Sequence, residues 1–437
     1  MITSDATQEN LFSYVTERWG PRYLLIHPSG KFIYVCHWDM DRLSAYSVDL
    51  STGSLTSIPG SPVTTGRQPR AITITPDGRF LYAANWADGT VSGYAIRGDT
   101  GLPVPLNESP YRSGQRPRNL RLDPTGQFGY VSNRDGTSIS SYMIEPATGR
   151  LVRTAEQDIP TGPRPRSTVI SYCGGIACAA HQGCDTLSAF LIDARSKTLA
   201  PLGRSFVRVG MDPRSLTIHL TGKWIYSADR ADGTISAVHI DAAQHLLLSV
   251  AGSPFPSGKR PFALLLHMNG RFGYVANAAS DTVSAFAIDP ENGALSPIPG
   301  SPFYAGRYPM WPTFDPRGRF LYVNSYDSNQ VHGFAIDPDT GSLNAVPGSP
   351  VQAVARSVSG TYPGEPLVHP SGRFLYLVNR KSDSVSAFRI DPQTGALSGV
   401  PGSPFPPCGT PTLKYRWKVL KMAAKAGLYG GVRSATN

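Results

Sequence analysis

Apolar residues recur at every second position through short runs along most of the chain, and the runs are separated by turns rich in Gly, Pro, Asp and Asn. The stretch His267–Phe303 is the clearest instance. Within it, Asn269-Gly270 predicts a turn, Arg271–Asn277 a strand and Ser280-Asp281 a reversal. Thr282–Ile288 then predicts a second strand, Asp289–Gly293 a glycine-closed turn and Ala294–Ile298 the start of a third. Pro261–His267, just ahead, supplies a fourth. Period-two alternation with β-branched and aromatic content selects strand over helix.

The unit recurs. Its turn glycines are Gly30, Gly78, Gly126, Gly174, Gly222, Gly270, Gly318 and Gly372, spaced by 48 six times and then by 54. A fixed period of this size with four strands per unit predicts an all-β fold, a single β-propeller of four-stranded blades. Eight complete units predict eight blades. Seven is the alternative, and would leave one unit with open sheet edges. The propeller is expected over residues 20–408, after an N-terminal segment 1–19 in which Leu11–Trp19 can add an outer strand. A basic C-terminal tail, 409–437, follows, with Leu413–Val419 as a further candidate strand.

Side-chain volume is kept from unit to unit. Two residues after each turn glycine stands a large apolar residue (Phe32, Phe80, Phe272), and four after it a tyrosine in every unit but the fourth, which has Cys178. Fifteen after it the residue is always small (Ala45, Gly93, Ala285). Conserved volume at fixed register is what face-to-face sheets require. Unit four is degenerate at its turn (Tyr172-Cys173-Gly174-Gly175), and a six-residue insertion within Gln352–Pro363 precedes unit eight.

Net charge is +10, but the tail beyond Thr412 holds six basic residues and no acid, leaving +4 for the rest. No basic helix or aromatic RNA-binding motif is present, so nucleic acid is not the expected partner. A mildly basic propeller suits a small anion instead. The five cysteines (Cys36, Cys173, Cys178, Cys184, Cys408) show no CxxC and no histidine cluster, so no metal site or cofactor is expected. Reduced thiols are the default, with a Cys173–Cys184 or Cys178–Cys184 disulfide open in an exported protein. The start MITSDATQENLF lacks the features of a signal peptide and no run reaches transmembrane length, so the expected location is cytoplasmic.

Candidate chemistry lies where inner strands begin. Pro-Arg opens five successive units, placing Arg22, Arg70, Arg118, Arg166 and Arg214 at equivalent points around one mouth of the channel. The remaining units have Phe262, Met310 and Gly364 there. Guanidinium forks bind carboxylate and phosphate. The same arginines can equally serve as a repeated clip to neighbouring carbonyls or to an acid such as Asp229. Glu365 is the only acid at the position after the arginine and can act as a general base for water. Seven residues after the turn glycine, Asn is usual, while His37, His181 and Asp229 depart from it. His181 and Asp229 are further proton-transfer candidates, with turn capping as the structural alternative. His27, His219, His267 and His369 share a pre-turn position and point to turn stabilisation, not a metal ring.

The combination P-R-x-L-x-x-x-P-x-G-[KR]-F-x-Y-V-x-N followed by V-S-A-F-x-I-D-P-x-T-G-x-L resembles the lactonase-type β-propellers, which include 6-phosphogluconolactonase-like and YVTN-repeat proteins. The resemblance covers about residues 20–408. Enzymes of the family have seven blades, a histidine after Pro-Arg and an Asn-Glu-Leu motif. Here Tyr23, Ala71, Asn119, Ser167 and Ser215 follow Pro-Arg, and Asn277-Ala278-Ala279 and Asn379-Arg380-Lys381 stand for the second motif. The resemblance implies hydrolysis of a sugar or sugar-acid lactone in the central channel. Arginines would hold an anionic substituent, and Glu365, or else Asp229 or His181, would activate water. The alternative is a non-catalytic scaffold presenting its loop face to a protein, a glycan or an anion.

Overall fold

The computed structural model describes residues 20–193, 195–241, 243–354, 362–406 and 408. They form eight antiparallel sheets arranged as the blades of a propeller, with no helix among the described residues. Blade 6 shows the plan. Pro261–Leu266 is its inner strand, followed outward by Phe272–Asn277, Thr282–Ile288 and Leu295–Pro297. Each strand agrees with the periodicity to within a residue. A two-residue piece, Phe303–Tyr304, returns to pair again with the third strand, which alternation could not reveal. The segment Leu11–Trp19, the tail strand Leu413–Val419 and most of the insertion before unit eight lie outside the described residues.

Blades are locked to one another by the repeated aromatics. Tyr274 is fully buried and its phenol donates to the Gly341 carbonyl of blade 7 at 2.8 Å. Phe272 packs on that same glycine, whose φ is +72°, and a Cβ on Gly341 would lie 2.6 Å from the Phe272 ring. Only glycine satisfies both demands. The tyrosine bond recurs from Tyr34 to Gly101, Tyr82 to Gly149, Tyr226 to Gly293 and Tyr322 to Gly395. The pre-turn histidines do more than stabilise their own turns. His267 Nε2 donates to the turn carbonyl of Gly318 in the next blade at 2.7 Å, and His27, His219 and His369 do the same at their seams.

The ring closes between blades 8 and 1 by the same means. His369 reaches Gly30, Tyr376 donates to the Gly53 carbonyl at 2.9 Å, and the Cys408 amide donates to the Tyr46 hydroxyl at 3.1 Å. Residues of both blades share one core, including Val35, Tyr46, Phe374 and Phe405. Eight blades therefore make a closed ring, and none is left unpartnered.

Blade 4 departs from the plan. Cys178 replaces the latch tyrosine, and its outer strand Leu199–Arg208 runs for 10 residues. That strand meets Leu246–Ser249 of blade 5 in a parallel bridge, Arg204 to Leu246, fusing two blades into one nine-stranded sheet. All five cysteines are free. The disulfides left open by the sequence do not form, because the strand Ile176–His181 separates Cys173 from Cys184 and buries Cys178 in its middle.

Candidate functional site

The inner strands begin at one end of the channel, and each begins in the same way. A residue with left-handed backbone (Gln68, Arg116, Arg164 and Asp212, φ +51° to +56°) precedes the proline. The strand then carries a β-bulge at the arginine. Pro69 faces Asn85 and Ala71 faces Ala84, so Arg70 is the extra residue. The same shift occurs at Arg22, Arg118, Arg166 and Arg214. A bulge takes a side chain out of the pleat and re-aims it. Five bulges at one level gather five guanidinium groups around the mouth.

Aromatic faces hold these groups. The Arg22 guanidinium lies 4.7 Å from the Trp38 ring, and Arg70 lies between Trp38 at 5.5 Å and Trp86 at 4.8 Å. Arg214 sits 3.5 Å over Phe262. An aromatic face steadies a guanidinium while leaving its charge in place. Beside Arg214, Arg166 donates to Gln182 Oε1 at 3.2 Å, and Gln182 donates to Asp212 at 2.6 Å. Asp212 also accepts from Arg230 at 3.1 Å. Burial, and then the like charges of Arg166, Arg230 and Arg118, push the Arg214 guanidinium well below its ordinary range. Crowded like charges around one bore raise the affinity for an anion placed among them.

Glu365 stands in blade 8 just after Gly364, which holds the place of the arginine. Burial raises its carboxyl above the usual range, opposed by the charges of Arg121 and Arg380. Its negative charge is the largest influence raising the Tyr23 phenol of blade 1, ahead of burial, and Arg121 lowers it in part through a hydrogen bond. Glu365 thus interacts electrostatically with Tyr23, Arg121 and Arg380, and these arginines differ from the five of the Pro-Arg arc. Arg380 is carried on an aromatic cluster, 5.2 Å from the Trp311 ring and 6.0 Å from Tyr326. Tyr326 in turn stacks on Tyr362 at 4.3 Å.

His181 and Asp229 stand elsewhere. Both are wholly buried at the end of a second strand, under the loop that leads to the next inner strand. A Cβ on Gly162 would fall 2.6 Å from His181, and one on Gly210 2.7 Å from Asp229. His181 Nε2 is hydrogen-bonded with Ser188 Oγ at 2.7 Å, and burial lowers its imidazole to about 4. Asp229 accepts from Ser236 at 2.6 Å, Ser227 at 2.8 Å and Thr234 at 3.3 Å, and burial raises it to about 6 against those bonds. Asn85 and Asn277 make the matching bonds in their blades. The structure brings neither residue to Glu365.

The sequence passed over Tyr23, Arg121, Arg230, Arg380, Trp38, Trp86 and Gln182. A signal existed for five of them. Eight residues after the turn glycine the units read Trp38, Trp86, Arg134, Gln182, Arg230, Ala278, Tyr326 and Arg380, a position where chemistry changes from blade to blade. Tyr23 and Arg121 carry no such mark, since only the ring brings them together.

Eight four-stranded blades closed into a ring define the molecule as a β-propeller. The chain belongs to the lactonase family of seven-bladed β-propellers, whose family model matches residues 7–115, 109–211, 248–353 and 348–408. This member has eight blades, and most of blade 5 lies in the stretch between matched segments. No curated protein matches the chain significantly. Among solved structures, a Bacteroides uniformis protein provisionally described as a 6-phosphogluconolactonase is 21% identical, with a TM-score of 0.56 over 71% of this chain and 92% of its own. The periplasmic gluconolactonase PpgL of Pseudomonas aeruginosa is 22% identical, with a TM-score of 0.51 over 83% of this chain and 93% of its own. Sqt1 of Chaetomium thermophilum is 14% identical, with a TM-score of 0.64 over 86% of this chain and 98% of its own. At such identities these likenesses speak to the fold.

Proposed function

We propose that the protein hydrolyses a sugar or sugar-acid lactone at the arginine-lined mouth of its channel, with Glu365 as the base. The reading is supported by the electrostatic influence of Glu365 on Tyr23, by that of Arg121 and Arg380 on Glu365, and by the crowded arginines around Arg214, which rests on Phe262. The anionic substituent binds Arg214 with Arg118 and Arg166. Glu365, made more basic by burial, takes a proton from water as the water oxygen bonds to the lactone carbonyl carbon. Arg121 and Arg380 stabilise the oxyanion. The ring C–O bond then breaks, the departing oxygen takes the proton back from Glu365, and a hydroxy acid leaves. His181 and Asp229 are not assigned to the water, because both are buried inside their own blades, His181 against Ser188 and Asp229 against Ser236.

The test is acid release from 6-phosphoglucono-lactone and from unphosphorylated lactones, above the spontaneous rate. Glu365→Gln is expected to lower kcat by at least about 100-fold, within the range for general-base removal. Arg214→Ala is expected to raise KM for the anionic lactone with little change in kcat, the mark of lost uniform binding. Absence of turnover on every lactone, with an anion still bound, would instead make the mouth the ligand site of a scaffold.

A further inference from the structure

Blades 3 and 4 break the repeat in an outer loop, blade 4 by reading Ser205-Phe206. Six blades carry Ser-Pro there with a cis peptide, as at Ser301-Pro302, and the serine hydroxyl accepts the amide of the small third-strand residue, as Ser301 does from Ala285 at 2.9 Å. Blade 3 reads Glu156-Gln157-Asp158 instead. Asp158 stands in the place of the proline and turns into the blade. It accepts from Ser140 at 2.7 Å, from Ser138 and Asn133 at 3.3 Å and from Arg153 at 2.5 Å.

Glu156, Gln157 and Asp158 line a groove of about 930 Å³ on the channel-mouth face, over blades 2 and 3. The corresponding groove over blades 5 and 6 is about 420 Å³. The larger one starts at Trp86, whose ring also carries Arg70 of the channel mouth, and runs outward past Gln68, Arg112 and Gln157 to Glu156 and Asp158. Trp86 is thus shared by the groove and the mouth. A lapse in a repeat that opens a cleft beside a candidate site is where function is expected to sit.

Its chemistry differs from that of the mouth. Arg153 pairs with Asp158 and Arg67 with Asp88, each at 2.5 Å, and Arg116 pairs with Asp135 at 2.7 Å. Paired charges give little net field to draw an ion. What the groove offers is a dense set of planar donors and acceptors: guanidinium, carboxamide and carboxylate edges. Adjacent hydroxyl groups, which both donate and accept, are the complement of such edges.

We propose that this groove binds a neutral oligosaccharide chain. Resting on the lactonase reading, the natural substrate is then an oligosaccharide whose terminal unit is the lactone, with that unit in the channel mouth and the neutral rings in the groove.

The experiment is calorimetric titration of the full chain with neutral trisaccharides of glucose, mannose, galactose and N-acetylglucosamine, beside turnover of mono- and trisaccharide lactones. At least one trisaccharide binds, and the double variant Arg112→Ala with Gln157→Ala weakens it at least 10-fold. Both side chains are exposed, so the fold is spared. Glu365→Gln leaves the trisaccharide affinity unchanged. The trisaccharide lactone turns over with at least 10-fold higher kcat/KM than the monosaccharide lactone, and the double variant erases that advantage while sparing the monosaccharide lactone. Binding of no trisaccharide, or binding indifferent to the double variant, overturns the groove proposal. Lactone turnover in that case leaves the lactonase reading standing, whereas trisaccharide binding without any lactone turnover removes the lactonase reading and keeps the groove.

Discussion

The seam between blades 6 and 7 and the seam between blades 4 and 5 solve one problem in two ways. At the first, Phe272 and Tyr274 fill the space between sheets, and Tyr274 and His267 each donate to a backbone carbonyl of blade 7. At the second the tyrosine is Cys178 and the histidine is Ser171. The core there is aliphatic, built from Ile176, Leu202, Leu216, Ile225 and Leu247, and the two outer strands meet through backbone. Volume is preserved by branched side chains, and a strand bridge supplies the tie that the phenol gives elsewhere. A departure from the repeat at a seam is thus answered by its neighbours. Along the inner-strand level the repeat also departs, at Glu365 and Arg380, and Arg380 rests on Trp311 and Tyr326.

The sharpest way to break this comparison is truncation at equivalent positions. Tyr274→Ala is expected to cost about 3–5 kcal/mol, as for other large buried aromatics. Cys178→Ala, which removes one atom from an aliphatic core, should cost about 1 kcal/mol by the same reasoning. Chemical unfolding measures both, and equal losses would show that the fused seam also depends on its fourth-position side chain.

Asp229 offers the next test. Its folded value of about 6 lies above the ordinary 3.8, so the folded state prefers the neutral acid. Stability from this group is full below pH 3.8 and is lost as pH rises through 6. The loss approaches about 3 kcal/mol on linkage. Asp229→Asn copies the asparagine of the other blades and is expected to stabilise the protein by up to that amount at pH 8, with no gain at pH 3.5. Melting temperature against pH reads this directly, and a gain that ignores pH would mean that Asp229 is not held as a neutral acid. The smallest effect is the latch bond alone. Tyr274→Phe keeps the ring and leaves the Gly341 carbonyl without its donor, at a cost of about 1 kcal/mol. The same change at Tyr226 should match it, since its bond to Gly293 is alike at 2.9 Å.

Much of this architecture was legible in the chain. The repeat marked every blade, the turn glycines marked the first hairpin of each, and the small residues fifteen positions on marked where sheets approach. The five Pro-Arg pairs located the mouth. Legibility failed where roles depend on direction. His181 and Asp229 stood out as departures from asparagine, yet their side chains point into the blade, under Gly162 and Gly210. Sequence spacing fixes the height of a residue on a blade but not which residue faces it from across a ring.

By itself the sequence determined the strand pattern, the number of units and the level at which the arginines stand, because local periodicity and turn chemistry act within about fifty residues. Only the tertiary structure decided that the eighth blade closes on the first through His369 and Tyr376. It alone set Glu365 of blade 8 within electrostatic reach of Tyr23 of blade 1 and Arg121 of blade 3. It also opened the blade 3 groove next to Trp86. Each of these depends on ring closure, which sets distances between residues hundreds of positions apart and leaves no periodic trace along the chain.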